Sequence, residues 1–219
     1  TTLHSGGKFN SKSYNTSGGL HGVGLSVVNA LSAELIIEVN RDGYLWKQVY
    51  TEGKPSKKIQ KIEQSKKKGT FIQFMPDPKI FGDSTYFDPK ILKQMAESKA
   101  YLFKGITINW KLKSKDKNLN EEQTFKFPNG IKDFLYNKID EKPLIINEIF
   151  YGHSNLETTE ESIEWALSWP IQVDGKFYSY CNTIPTVEGG SHENGFKTGL
   201  VKALKSFGEL NNIKKASKI

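Results

Sequence analysis

The sequence is nearly empty of cysteine. Cys181 stands alone, so no internal disulfide can form, and no Cys/His cluster has the spacing of a zinc site. The lone thiol is expected to be buried and kept reduced. Long apolar runs are also missing. None approaches the roughly 20 residues that a membrane-spanning helix needs, and no secretory leader is recognisable. A membrane partner is therefore not expected, and a cytoplasmic location is. His4, His153 and His192 are too widely separated to form a metal-ligand motif, and each reads as a packing or surface residue. Internal repeats and low-complexity tracts are absent. The chain does not open on methionine and stops in the polar, lysine-rich stretch 214–219, so both ends are expected to be cuts within a longer protein.

The 219 residues that are present suit one large domain or two small ones. With 37% hydrophobic and 25% charged residues, a packed core is expected rather than disorder. The formal net charge of +7 permits a polyanionic partner, because lysine and arginine can replace counterions on phosphates. Apolar positions after the glycine-rich segment, from Leu25 to Ser32, follow one face of a short helix. Leu35-Ile36-Ile37-Glu38-Val39 and Tyr44-Leu45-Trp46-Lys47-Gln48-Val49-Tyr50 read as strands, and Asp42-Gly43 between them is a hairpin signal. Residues 70–75 form another strand. Pro89–Leu102 reads as a helix with proline in its first turn. Alternation at Ile106, Ile108, Trp110 and Leu112, and again at Phe125 and Phe127, marks strands with one buried face. The polar stretch 113–122 between them is a possible domain boundary or a long hairpin turn. Further helices are expected near Ile131–Ile139 and residues 194–210, and strands near 163–169 and 177–182. This irregular mixture indicates an α+β fold with antiparallel or mixed sheets.

The chemistry concentrates in Ser17-Gly18-Gly19-Leu20-His21-Gly22-Val23-Gly24. Glycine admits positive φ and close approach of backbone to a ligand, and a helix follows directly, so free N–H groups can converge on an anion. The common phosphate loops do not fit. The Walker loop's terminal Gly-Lys-Ser/Thr is absent, the dinucleotide fingerprint needs a preceding hydrophobic strand, and the kinase loop lies between two strands.

The stretch from Thr2 through Lys8 and Phe9, and from Tyr14 through the glycine loop to Ser32, closely resembles the B subunits of the bacterial type II DNA topoisomerases, DNA gyrase and topoisomerase IV. Lys68-Gly69-Thr70, Phe74-Met75-Pro76-Asp77 and Asn182-Thr183-Ile184-Pro185-Thr186 leading to Gly189-Gly190-Ser191-His192 extend the likeness over the whole chain. Pro76-Asp77-Pro78-Lys79-Ile80-Phe81 and Ser98-Lys99-Ala100-Tyr101-Leu102-Phe103 look more like the topoisomerase IV branch (ParE) than the gyrase branch. The resemblance implies part of a GHKL (Bergerat) ATPase α/β sandwich over residues 1–125, including its lid, then part of a ribosomal-protein-like α+β transducer domain over 126–219. By the same resemblance, Lys8, Tyr14, Gly19, Leu20, His21, Gly22, Val23, Gly24, Leu25 and Thr70 match nucleotide contacts. Arg41 matches an arginine at the edge of the pocket, where aminocoumarin inhibitors bind.

The implied cofactors are ATP and Mg2+. The family's general-base glutamate, magnesium-binding asparagine and adenine-binding aspartate do not match any position here, nor does the transducer lysine that reaches the γ-phosphate. No catalytic or metal-binding residue is therefore assigned, and the chain alone is expected to hydrolyse ATP negligibly. The implied partners are DNA, the topoisomerase IV A subunit in an A2B2 assembly, and a second copy of the B subunit, which dimerises on binding ATP. The intact enzyme would use ATP to drive a clamp for double-strand passage, decatenation and relaxation. Gyrase, with negative supercoiling, is the near alternative. A non-enzymatic basic DNA-binding module is the remote one. Lys57, Lys58, Lys61, Lys66, Lys67 and Lys68 form a basic stretch that reads either as a solvated surface or, given the family's substrate, as a DNA contact.

Overall fold

The computed structural model describes residues 22–139, 142–155, 161–171 and 174–215. The chain divides in sequence into two compact units, with the division between Leu92 and Lys93. No described helix is long and apolar enough to cross a membrane.

The first unit is an antiparallel sheet with a short helix on one side of its central strand. Helix α1 (Gly24–Ala30) runs into strand β1 (Ser32–Arg41) with one residue between. Two buried polar side chains make that corner. Ser32 Oγ donates to the Val28 carbonyl at 2.6 Å, and Asn29 Nδ2 donates to the Gly53 carbonyl at 3.0 Å. Gly53 has φ +77°, a left-handed conformation that favours glycine, while a Cβ there would make ordinary contact with Ala30 Cα at 3.4 Å.

Strand β2 (Tyr44–Thr51) returns along β1, and Arg41 pairs with Tyr44. Asp42 and Gly43 have φ of 54° and 80°, the pair of left-handed residues that a two-residue primed turn requires. Strand β5 (Gly69–Pro76) lies on the other side of β1, while β3 (Lys54–Pro55) and β4 (Gln60–Gln64) both pair with β2. The centre of the sheet is Leu35, fully buried, with Tyr50 and Phe74 directly opposite on the two neighbouring strands. A one-turn helix, α2 (Pro78–Phe81), follows β5. The buried Asp77 carboxylate starts it by accepting from the Lys79 N–H at 2.9 Å, with proline at the first helical position.

The second unit is built around aromatic packing. Helix α3 (Pro89–Leu102) leads into it and is followed by the antiparallel hairpin β6 (Thr107–Leu112) and β7 (Glu121–Lys126), then helix α4 (Ile131–Ile139). Alternation of Ile108, Trp110 and Phe125 puts one face of the hairpin inward. Tyr101 of α3 stacks on Phe134 of α4 with ring centroids 3.9 Å apart, and it meets Phe127 and Tyr180 edge-on. With Ala100 and Phe125 these residues form the buried cluster. A second hairpin pairs β8 (Phe150–Asn155) with β9 (Ser162–Leu167). Trp165 lies across Gly152 so closely that a Cβ there would come within 2.3 Å of the indole. The short pair β10 (Tyr180–Cys181) and β11 (Ile184–Pro185) precedes the long helix α5 (Ser191–Leu210).

The β1–β2 and β6–β7 hairpins, α3 and α4 fall where periodicity places them. Of the stretch 113–122, residues 113–120 are a hairpin connection, one of its two sequence readings, and Glu121 and Glu122 belong to β7. Elements the pattern does not reveal are β3, β4, β8, α2 and β11. Strand β4 is polar and exposed along its whole length, so it exists through pairing with β2 rather than through any alternation of its own. Only Tyr180 and Cys181 of the expected 177–182 strand are paired. The expectation of a buried thiol is corrected: Cys181 is exposed, because a two-residue strand in a small hairpin has nothing packed over that face.

Candidate functional site

The turn end of the β1–β2 hairpin forms one wall of a groove of about 1000 Å³. Residues 39–43 line that wall, Gly69 and Thr70 at the start of β5 line the other, and the loop 64–68 closes the end. Strand register explains why these parts meet. Thr70 pairs with Val39 and Gly69 with Asn40, so the first residues of β5 lie beside the last residues of β1. Tertiary structure thus brings Arg41 and Thr70, 29 residues apart in sequence, to one concavity.

Three hydrogen bonds pin the loop. Ser65 N donates to the Gly43 carbonyl at 2.9 Å, Ser65 Oγ donates to Asn40 Oδ1 at 2.6 Å, and Lys67 N donates to Ser65 Oγ at 3.2 Å. The consequence is electrostatic. Arg41, Lys66, Lys67 and Lys68 face a groove whose lone carboxylate is Asp42, four cations against one anion. Arg41 Nε and Asp42 Oδ2 are 3.4 Å apart with both side chains more than three-quarters exposed, a pairing worth under about 1 kcal/mol. Most of the guanidinium fork is left for a ligand, and a concave site lined by one sign of charge focuses its field on anions. Arg41 is also the sole arginine in the sequence.

The other matched positions distribute differently. Lys8, Tyr14, Gly19, Leu20 and His21 lie outside the described residues. Gly22 is a bend with φ 63°, Val23 is the N-cap of α1, and Gly24 and Leu25 open that helix. Among the described residues this cap makes no side-chain hydrogen bond. These four residues are not among those lining the Arg41 groove. Lys61 is occupied elsewhere, its ammonium 3.2 Å from the centroid of the Tyr44 ring. His192 Nε2 lies 3.3 Å from Thr186 Oγ1, which ties the start of α5 to β11 and its flank, a structural contact. Sequence reasoning missed Asn40, Gln64 and Ser65. Their only signal is position, on either side of the turn that the Asp42-Gly43 pair announces.

Among the described residues no group of three or more His, Cys, Asp or Glu side chains is arranged to hold a metal ion. A hard cation such as Mg2+ wants several oxygen ligands, carboxylates included. The groove offers one carboxylate among four cations and does not fit Mg2+ by itself. Its excess of cations suits an anionic ligand.

The DNA gyrase B family model matches residues 130–219. Along the whole chain, the B subunit of DNA topoisomerase 4 from Caulobacter vibrioides is 47% identical over 99% of this sequence, and that from Rickettsia bellii 46% over 100%. The chain belongs to the B-subunit family of bacterial type II DNA topoisomerases. It spans about a third of the length of these curated relatives, 32% and 34% respectively. The ATP-binding domain of Francisella tularensis topoisomerase IV superposes with a TM-score of 0.66 at 33% identity, covering 97% of this chain and 53% of that one. The 43K ATPase domain of Thermus thermophilus gyrase B, solved with an aminocoumarin, gives 0.74 at 28% identity, covering 89% and 52%. The α+β class and the GHKL-type expectation stand with these neighbours. Within the family, the names of the relatives favour topoisomerase IV over gyrase.

Proposed function

We propose that this chain is part of the ATP-operated subunit of a topoisomerase IV. The carrying observation is that Arg41 and Thr70 share one basic groove at the end of the sheet that carries the Asp42-Gly43 turn. The ATP-binding and ATPase titles of the solved neighbours support the same reading. Arg41 would hold the outer edge of a nucleotide-sized ligand, and Thr70 would offer a hydroxyl from the opposite wall. Gly22, Val23, Gly24 and Leu25, with Lys8, Tyr14, Gly19, Leu20 and His21 before them, would close over the phosphates through backbone amides and the Lys8 ammonium. Mg2+, when bound with the nucleotide, supplies charge neutralisation at the phosphates; no residue of the groove is assigned to it. Residues 1–125 would form the ATPase portion and 126–219 the transducer portion. The aromatic cluster spans that boundary, because Tyr101 and Phe125 lie before it and Phe127 and Phe134 after it.

In the assembled enzyme, nucleotide binding would bias a loop between two states and dimerise the B subunits around a DNA segment, with hydrolysis resetting the clamp. The chain alone is expected to turn ATP over negligibly, since the family's general-base glutamate matches no position of this sequence. The test is to combine the full-length subunit with its cognate A subunit and assay linked and relaxed DNA circles with and without ATP. ATP-dependent decatenation without introduced supercoils is expected, and Arg41→Gln should weaken nucleotide binding by about tenfold, the scale of one charge-assisted hydrogen bond. Introduction of negative supercoils would move the protein to the gyrase branch. Strand passage that ignores ATP would overturn the nucleotide reading altogether.

A further inference from the structure

The β6–β7 hairpin carries its charges unevenly. Where its strands meet the loop they are matched: Lys111 pairs with Glu122, and Lys93 of α3 pairs with Glu121. At its tip they are not. Lys113, Lys115 and Lys117 are all exposed, and no described carboxylate lies within ion-pair reach of any of them. The one acidic residue of the tip, Asp116, is turned onto the backbone, where Oδ1 accepts from the Asn118 N–H at 3.0 Å.

Two other polar side chains of the tip, Ser114 and Asn120, also bond its backbone. Asn120 Oδ1 accepts from the Ser114 N–H at 2.8 Å, and Ser114 Oγ accepts from the Asp116 N–H at 3.2 Å. A turn of 3-10 helix over Lys117–Leu119 closes the loop, with the Leu119 and Asn120 amides donating to the carbonyls of Asp116 and Lys117. The result is a braced projection. Lys111, Lys113, Lys115 and Lys117 border a shallow concavity of about 430 Å³, which Glu121 and Glu122 also line; both carboxylates are already ion-paired, with Lys93 and Lys111.

We infer that this tip is a docking point for the phosphate backbone of duplex DNA. The inference rests on the topoisomerase reading for the choice of polyanion; the geometry supplies the site. Lysine is a point charge without a planar fork, so it suits phosphates contacted independently of sequence. Ordering the loop beforehand removes an entropic cost that a flexible lysine run meets on binding. The stretch 57–68 is more basic, with six lysines against Glu63, but there Lys61 lies over Tyr44 and Trp46, and Lys66, Lys67 and Lys68 line the Arg41 groove; Lys57 and Lys58 serve in the charge-matched comparison.

The experiment uses the 219-residue chain and a fluorescein-labelled duplex of mixed sequence, with affinity measured by anisotropy across a salt series. Two variants are compared: Lys113→Gln/Lys115→Gln/Lys117→Gln at the tip, and Lys54→Gln/Lys57→Gln/Lys58→Gln, which removes the same charge elsewhere. The tip variant should bind more weakly and lose about 0.9 from the slope of log affinity against log salt for each phosphate contact removed. The charge-matched variant should lose less of both. An unchanged slope in the tip variant overturns the inference while leaving the topoisomerase reading in place. Equal losses in the two variants also overturn it, because net charge alone would then account for binding. A wild-type chain that ignores duplex DNA at low salt defeats the docking site outright, whereas the nucleotide reading falls only on the ATP-dependence assay. Circular dichroism keeps the comparison valid: all six lysines are exposed, so both variants should retain the wild-type spectrum and melting temperature.

Discussion

Tyr101 does two jobs whose physical demands differ. Its ring fills the centre of the second unit's core, between Phe134 and Phe127, while its hydroxyl bonds the Tyr180 hydroxyl. Burial is the larger reason that its ionisation is pushed well above the usual tyrosine value of 10.0; the Tyr180 bond adds to it. The sign follows from linkage. In the unfolded chain the phenol ionises near 10.0, whereas in the folded chain it stays neutral, so its contribution to stability is complete below that pH and is lost as pH rises beyond it. Tyr101→Phe should cost about 1 kcal/mol at neutral pH through the lost hydrogen bond. It should also make the alkaline fall in stability shallower than in the wild type, as read from urea midpoints on both sides of pH 10. Parallel alkaline curves would show that the phenol does not carry this dependence. Beside it, Lys99 donates to the carbonyl and hydroxyl oxygens of Thr183 at 2.7 and 3.0 Å, and partial burial pulls its pKa down. That shift works in the opposite direction, which is why the Tyr101 difference between two proteins is the informative quantity. A helical tyrosine with apolar neighbours is legible as a core residue. Its bond to Tyr180, 79 positions away, is not, because no local pattern links them.

At the scale of elements, the groove depends on a clamp between two loops. Asn40, at the end of β1, and Ser65, just after β4, hold the lysine loop against the Asp42-Gly43 turn. The turn itself was readable: an Asp-Gly pair between alternating runs needs two left-handed residues, and it has them. Strand β4, which delivers Ser65, was not, since all five of its residues are exposed and its place is set by the edge of β2. Ser65→Ala removes a side-chain bond and should destabilise the chain by about 1 kcal/mol or less, given partial exposure. Its larger effect should be on order in the loop, with faster amide exchange at Lys67 and weaker binding of a nucleotide analogue. Wild-type exchange rates at Lys67 in the variant would show that the loop is held by something other than the clamp.

For each unit taken whole, the most consequential feature of the first is its β5 edge. Phe71 and Met75 project from one face and Ile72 and Phe74 from the other, each between 42% and 55% exposed. Among the described residues only β1 pairs with this strand, so apolar surface and a row of unpaired backbone groups coincide. The chain in isolation should self-associate as its concentration rises, and Phe71→Lys should shift light scattering back toward the monomer. A monomeric wild-type chain at high concentration would count against that reading.

Composition and periodicity by themselves determined the α+β class, the two central hairpin strands, α3, α4 and most of α5. The reason is that a helix or a half-buried strand imprints its own repeat on neighbouring residues. The motif resemblance pointed to the family before any coordinates. Only tertiary structure decided which residues share a site. Arg41 and Thr70 meet because β5 pairs antiparallel with β1 in one register, and a shift of a single residue would have turned Thr70 to the opposite face. The same holds for the charges: 31 basic residues are visible in the sequence, but which are paired, which stack on a ring and which stand free at a braced hairpin tip is settled by the neighbours that folding brings to each.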